Sequence, residues 1–155
     1  MNSKMYDFDD LYQDIVMDHS RRPRNYGSME QPTSSTDGHN PLCGDEITVF
    51  LKLEDNKVIE ISFEADGCAI SKSSASMMTE GIKGKSVPEA MNVFEAFRSL
   101  LTQDQLDDEQ VELLGDLEIL KGVSNYPTRI KCATLSWHTL KAGLEGNEEK
   151  SVSTE

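Results

Sequence analysis

Apolar and less apolar residues alternate with a period of two in Ile47-Thr48-Val49-Phe50-Leu51-Lys52-Leu53, and again in Val58-Ile59-Glu60-Ile61-Ser62-Phe63-Glu64-Ala65. Glu54-Asp55-Asn56-Lys57 lies between the two runs. The pattern predicts two antiparallel strands joined by a hairpin. Ile47, Val49, Leu51 and Leu53 then share one face, with Ile59, Ile61 or Phe63 opposite them. A sheet with one apolar face needs a cover, and the rest of the chain offers helices.

Leu11, Tyr12, Ile15 and Val16 recur at helical spacing within a helix predicted over Asp9–His19. Residues 24–41 are rich in Gly, Pro, Ser, Thr and Asn, which predicts a loop or an irregular edge strand. A small-residue helix follows over Ile70–Ile82, with Met77 and Met78 as core filler. Ser86-Val87-Pro88-Glu89 fits a capping box that opens the next helix, which runs through Val93, Phe97 and Leu101. Thr102–Gly115 is acidic and reads as a loop or solvated face, and Leu117–Leu120 as a short helix. Pro127 starts the last helix, whose stripe of Ile130, Ala133, Trp137, Leu140 and Leu144 makes Trp137 a core anchor. The fold class is therefore α+β: a small antiparallel sheet of about three strands packed against several helices.

A length of 155 residues predicts one domain, here residues 1–146. Residues 147–155 have little to bury and are expected to be a disordered tail. The net charge of −13 disfavours nucleic acid and anionic membranes as partners. Arg21-Arg22-Pro23-Arg24 is a local exception, read as a helix end or as a partner-docking patch. The N-terminus carries no apolar run or cleavage pattern, and no apolar stretch reaches membrane-spanning length, so a cytoplasmic protein is expected.

The chain has three cysteines, Cys43, Cys68 and Cys132. They cannot all pair with one another, which favours free thiols or a metal over disulfides. Cys43 and Asp45 flank one glycine, so a single turn can present both side chains to one point. Cys68 follows Gly67 and opens a helix, and Cys132 lies near the start of another; both positions favour thiolate. Three thiolates and a carboxylate can fill a tetrahedral zinc shell. Spacing alone leaves the question open. Gaps of 24 and 63 residues fit unlinked core cysteines as well as one shared site. His39 is the plausible substitute ligand, while His19 and His138 read as helix-surface residues.

Pro41-Leu42-Cys43-Gly44-Asp45, Asp66-Gly67-Cys68-Ala69-Ile70-Ser71 and Arg129-Ile130-Lys131-Cys132-Ala133-Thr134-Leu135 resemble the three cysteine motifs of the IscU/NifU-like iron–sulfur scaffold family. The likeness runs from about Leu11 to Leu144. It includes Met17-Asp18-His19, Pro23-Arg24-Asn25, Ser74–Met78 and Ser136-Trp137. Scaffold members usually carry His before the third cysteine, and this chain carries Lys131. That departure, with the longer segment around Leu113–Leu117, makes the chain more similar to the SufU branch.

The resemblance implies a zinc-dependent sulfurtransferase of iron–sulfur cluster biogenesis. Its metal ligands would be Cys43, Asp45, Cys68 and Cys132. The partners it implies are a SufS-type, pyridoxal-phosphate cysteine desulfurase, whose persulfide sulfur the protein accepts, and a downstream cluster-assembly scaffold. A closed four-ligand shell has no open position. Cys43 is therefore expected to be freed by ligand exchange, with an imidazole of the desulfurase taking its place, and to act as the nucleophile. Arg129 and Lys131 flank the site and either offset its negative charge, orient the partner or remain ordinary helix-surface cations. The alternative is a scaffold that assembles a transient [2Fe–2S] cluster on the same residues.

Overall fold

The computed structural model describes residues 8–102, 105–146 and 152–153. Helix α1 spans Phe8–Arg21, and strands β1 (Ser34–Asn40), β2 (Asp45–Glu54) and β3 (Lys57–Asp66) follow as an antiparallel meander. Helices α2 (Ala69–Ile82), α3 (Val87–Leu101) and α4 (Asp108–Leu114), a 3₁₀ segment (Gly115–Asn125) and helix α5 (Pro127–Leu144) make up the second half. No helix among the described residues is long and apolar enough to cross a membrane.

The hairpin forms where the alternation places it, with Asp55 and Asn56 at positive φ in the turn. Ile47, Val49 and Leu51 of β2 and Ile61 and Phe63 of β3 are buried on its inner face. One detail differs. Leu51 pairs with Ile61 but Leu53 pairs with Val58, so a bulge leaves Ile59 as the extra residue. The bulge inverts the alternation, so Val58 is fully buried and Ile59 is not.

The stretch read as loop or irregular edge strand contains β1, built from Ser34-Ser35-Thr36-Asp37-Gly38-His39-Asn40. Its inner positions Ser34, Thr36, Gly38 and Asn40 are small or polar and buried. Their size lets α5 lie close against the sheet. A Cβ at Gly38 would run into Thr139 Oγ1, and one at Gly143 would lie 3.1 Å from Thr36 Oγ1. Val152–Ser153 adds a two-residue parallel strand, β4, beside Gly38 and His39, giving the order β3-β2-β1-β4. Those two residues of the expected tail are thus ordered on a sheet edge; 147–151 and 154–155 lie outside the described residues.

Helix α5 is buried nearly all round, packed between the sheet and helices α2 and α3. Trp137 is fully buried, stacked on Phe97 with ring centroids 4.6 Å apart. Its indole N–H donates to Ser74 Oγ at 3.1 Å. Met77 and Met78 lie in the core, and the Ser86–Glu89 capping box opens α3. The acidic segment holds α4, whose own capping box joins Asp107 and Gln110 and whose buried side chain is Leu114. Arg24 pairs with Asp18 at 2.7 Å, folding the basic cluster back onto the end of α1.

Candidate metal centre

The β1–β2 turn, the start of α2 and the first turns of α5 meet at one end of the sheet. Gly44 takes φ +72° in the turn and so lets Cys43 and Asp45 converge. The backbone carbonyl of Asn40 accepts from Gly44 N–H at 2.9 Å and from Cys43 N–H at 3.3 Å. Donor atoms of Cys43, Asp45 and Cys132 all lie within 4.8 Å of one another. The Cys43 and Cys132 sulfurs are 3.2 Å apart. Cys68, the N-cap residue of α2, joins through Asp45: its sulfur lies 3.9 Å from Asp45 Oδ2, and its N–H donates to Oδ1 at 2.8 Å. All four residues singled out in the sequence therefore gather at one place, three as a tight group and Cys68 beside it.

The arrangement suits a thiophilic divalent metal. A tetrahedron with sulfur–metal bonds of about 2.3 Å has edges of about 3.8 Å, and the observed separations bracket that value. Asp45 is fully buried, and no ion pair to it occurs among the described residues. A carboxylate in that position needs a cation or strong donors. Gly67 completes the cradle, because a Cβ there would strike Asp45 Oδ1 and come within 3.0 Å of its Cα.

The donors are not equivalent. Cys132 is buried, whereas Cys43 and Cys68 are half-exposed. Burial, reinforced by hydrogen bonds with Cys43 and Asp45, pushes the Cys132 thiol well above its ordinary range. This corrects the expectation that a helix start would ionise it. Cys132 is the sixth residue of α5, beyond the first turn where the dipole acts, and desolvation dominates. A bound metal reverses that balance by deprotonating a coordinated thiol. Exposed Arg129 borders the site, and its hydrogen bond with Cys132 and the charge of Cys68 hold its proton more tightly. Lys131 is half-buried on the same helix.

The histidines sort differently from expectation. His39 alternates with buried Asn40 along β1 and pairs with Glu46, so it faces the outer side of the sheet, away from the sulfurs. His19 is 8% exposed, with Nδ1 2.7 Å from Ser76 Oγ. His138 is partly buried against Phe94, with ring centroids 5.5 Å apart. Neither is a simple surface residue, because α1 and α5 pack on more than one side. Sequence reading also passed over Asn40, whose signal was the small-polar alternation of β1. A cavity of about 360 Å³ beside Cys68 went unnoticed too; it is lined by Tyr12, Ala69, Ile70, Tyr126 and Arg129.

The family model described as NifU-like N terminal domain matches residues 11–145. The chain belongs to the NifU-like N-terminal domain family. Among relatives of this iron–sulfur cluster assembly family, the zinc-dependent sulfurtransferase SufU of Bacillus subtilis is 44% identical over 140 residues, covering 90% of this chain and 93% of that one. The iron–sulfur cluster assembly scaffold protein IscU of Streptococcus pyogenes is 41% identical, covering 87% and 83%. A crystal structure from Fervidobacterium islandicum, described as an iron–sulfur cluster assembly scaffold for the SUF system, superposes with a TM-score of 0.79 at 33% identity. It covers 84% of this chain and 93% of that one. The NifU-like α+β architecture expected from the sequence is the one observed, with β4 as a small parallel addition.

Proposed function

We propose that this NifU-like domain is a cytoplasmic sulfurtransferase that takes persulfide sulfur from a pyridoxal-phosphate cysteine desulfurase and passes it toward a cluster-assembly scaffold. Cys43, Asp45, Cys68 and Cys132 would hold zinc, which when bound keeps the sulfur donors as thiolates. The observation that carries this reading is the asymmetry of the donor set: a half-exposed sulfur on a glycine turn stands beside a buried carboxylate and a buried sulfur. Cys43 is the acceptor because its turn neighbours Pro41, Leu42 and Gly44 are exposed, so an incoming group can reach it. Cys68 is tethered at its N–H by Asp45, and Cys132 is enclosed.

In the transfer, the Cys43 thiolate attacks the outer sulfur of the desulfurase persulfide. A new sulfur–sulfur bond forms on Cys43, the old one breaks, and the electron pair leaves on the desulfurase cysteine as thiolate. No net oxidation occurs. The likeness to the zinc-dependent sulfurtransferase SufU supports this reading, and the likeness to IscU scaffolds keeps cluster building as the alternative.

The test pairs metal analysis of protein purified without oxygen with a desulfurase assay. Stoichiometric zinc, a colourless protein, a faster desulfurase and loss of that stimulation in Cys43→Ala are expected. A brown iron-containing protein would move the function to scaffolding. Zinc with an unchanged desulfurase rate would leave only an interaction module.

A further inference from the structure

Asn40 ends β1 and is fully buried at the metal centre. Its Nδ2 lies 3.4 Å from Asp45 Oδ2 and 3.5 Å from Cys132 Sγ. The Asp45 carboxylate only accepts hydrogen bonds, and a metal-bound Cys132 thiolate does the same, so the amide presents its N–H₂ to both. No hydrogen bond from this side chain to Cys43 or Cys68 occurs among the described residues. Its Oδ1 is buried without a hydrogen-bond partner among the described residues. An orphaned amide oxygen costs desolvation, so asparagine is a poor choice here for stability alone. What it supplies is two donors aimed at two anionic atoms.

We propose that Asn40 is a positioning residue that fixes Asp45 and Cys132 as the permanent half of the donor set. The inference rests on the shared metal site of the preceding reading. The asymmetry follows from the contacts. Asn40 grips the two enclosed donors through its side chain, and holds the Cys43–Gly44 turn only through its backbone carbonyl. Cys43 can therefore leave without the amide losing its partners. Three thiolates and a carboxylate around a divalent ion carry two excess negative charges, which these N–H groups partly offset.

Zinc affinity by chelator competition, the Co²⁺ ligand-field spectrum and urea unfolding of metal-free protein should be measured for wild type, Asn40→Ala, Asn40→Asp, Cys43→Ala and the Cys43→Ala/Asn40→Ala pair. Asn40→Ala should weaken zinc binding about 10–100-fold and shift the Co²⁺ bands. Its metal-free stability should fall only modestly, because the orphaned oxygen is gone but buried Asp45 loses one of its donors. Asn40→Asp should weaken binding further by adding negative charge. The loss caused by Asn40→Ala should be larger in the Cys43→Ala background than in wild type. Wild-type affinity and spectrum in Asn40→Ala would overturn the proposal, as would a fall in metal-free stability large enough to explain the weaker binding. Equal losses in the two backgrounds would overturn the fixed-half assignment. Wild type that takes up neither metal would overturn the shared-site reading and this inference together.

Discussion

Gly67→Ala puts one methyl group against the carboxylate of Asp45. An ideal Cβ at residue 67 would strike Asp45 Oδ1 and lie 3.0 Å from both Asp45 Cα and Cγ. Non-bonded carbons settle at about 3.5–4.0 Å, so the two segments must separate by about 0.5–1 Å. Metal–ligand distances hold to within about 0.2 Å, so the displaced carboxylate no longer fits the proposed shell shared with Cys43 and Cys132. The 2.8 Å hydrogen bond from Cys68 N–H to Oδ1 is strained by the same movement. A hydrogen bond to a charged group contributes about 1.5–3 kcal/mol. Its loss from the metal-bound state corresponds to about 10- to 150-fold weaker zinc binding. Overpacking should also cost the metal-free fold about 1–3 kcal/mol. Residue 67 does not occupy left-handed backbone, so alanine introduces no separate conformational strain. Chelator competition and urea unfolding read the two effects separately. Zinc affinity within twofold of wild type would refute the claim that this glycine sets the position of Asp45.

Two further outcomes follow from the core. Burial, and then the nearby charge of Arg24, hold the His19 imidazole below its ordinary range; burial and Lys141 do the same for His138. The unfolded chain therefore takes up these protons first as pH falls, so this stability is complete above about pH 6.5 and declines below it. Urea midpoints at pH 7.5 and 5.5 should show the decline, and His19→Gln should flatten it. Ser74 accepts from Trp137 Nε1 and donates to the Ala133 carbonyl at 2.5 Å, linking α2 to α5. Ser74→Ala leaves the indole N–H unsatisfied and should cost about 1–3 kcal/mol in urea unfolding, with Trp137 fluorescence as a local probe.

The legible parts of the fold were those with strong local periodicity. The hairpin, α2, the capped start of α3 and α5 could be read because apolar spacing and turn residues act within a few positions of one another. β1 was hard to read because its inward residues are Ser34, Thr36, Gly38 and Asn40, chosen for the close approach of α5 and not for hydrophobicity. Ile59 looked like a core residue because nothing in the alternation announces the bulge at Lys52–Leu53. Cys43 and Asp45 could be joined from sequence because one glycine separates them. Cys68 and Cys132 could be added only through resemblance, since local chemistry does not reach across 24 or 63 residues.

By itself the chain determined which residue types were available: three sulfurs that cannot all pair, a carboxylate beside the first, and one apolar sheet face waiting for helices. Tertiary structure decided how those donors differ. It enclosed Cys132 and Asp45, left Cys43 and Cys68 half-open, turned His39 to the opposite face and brought the Asn40 amide onto the two enclosed donors. The reason is physical. Ionisation, access and ligand order depend on burial and on neighbours distant along the chain, and those are fixed only when α5 closes over the sheet.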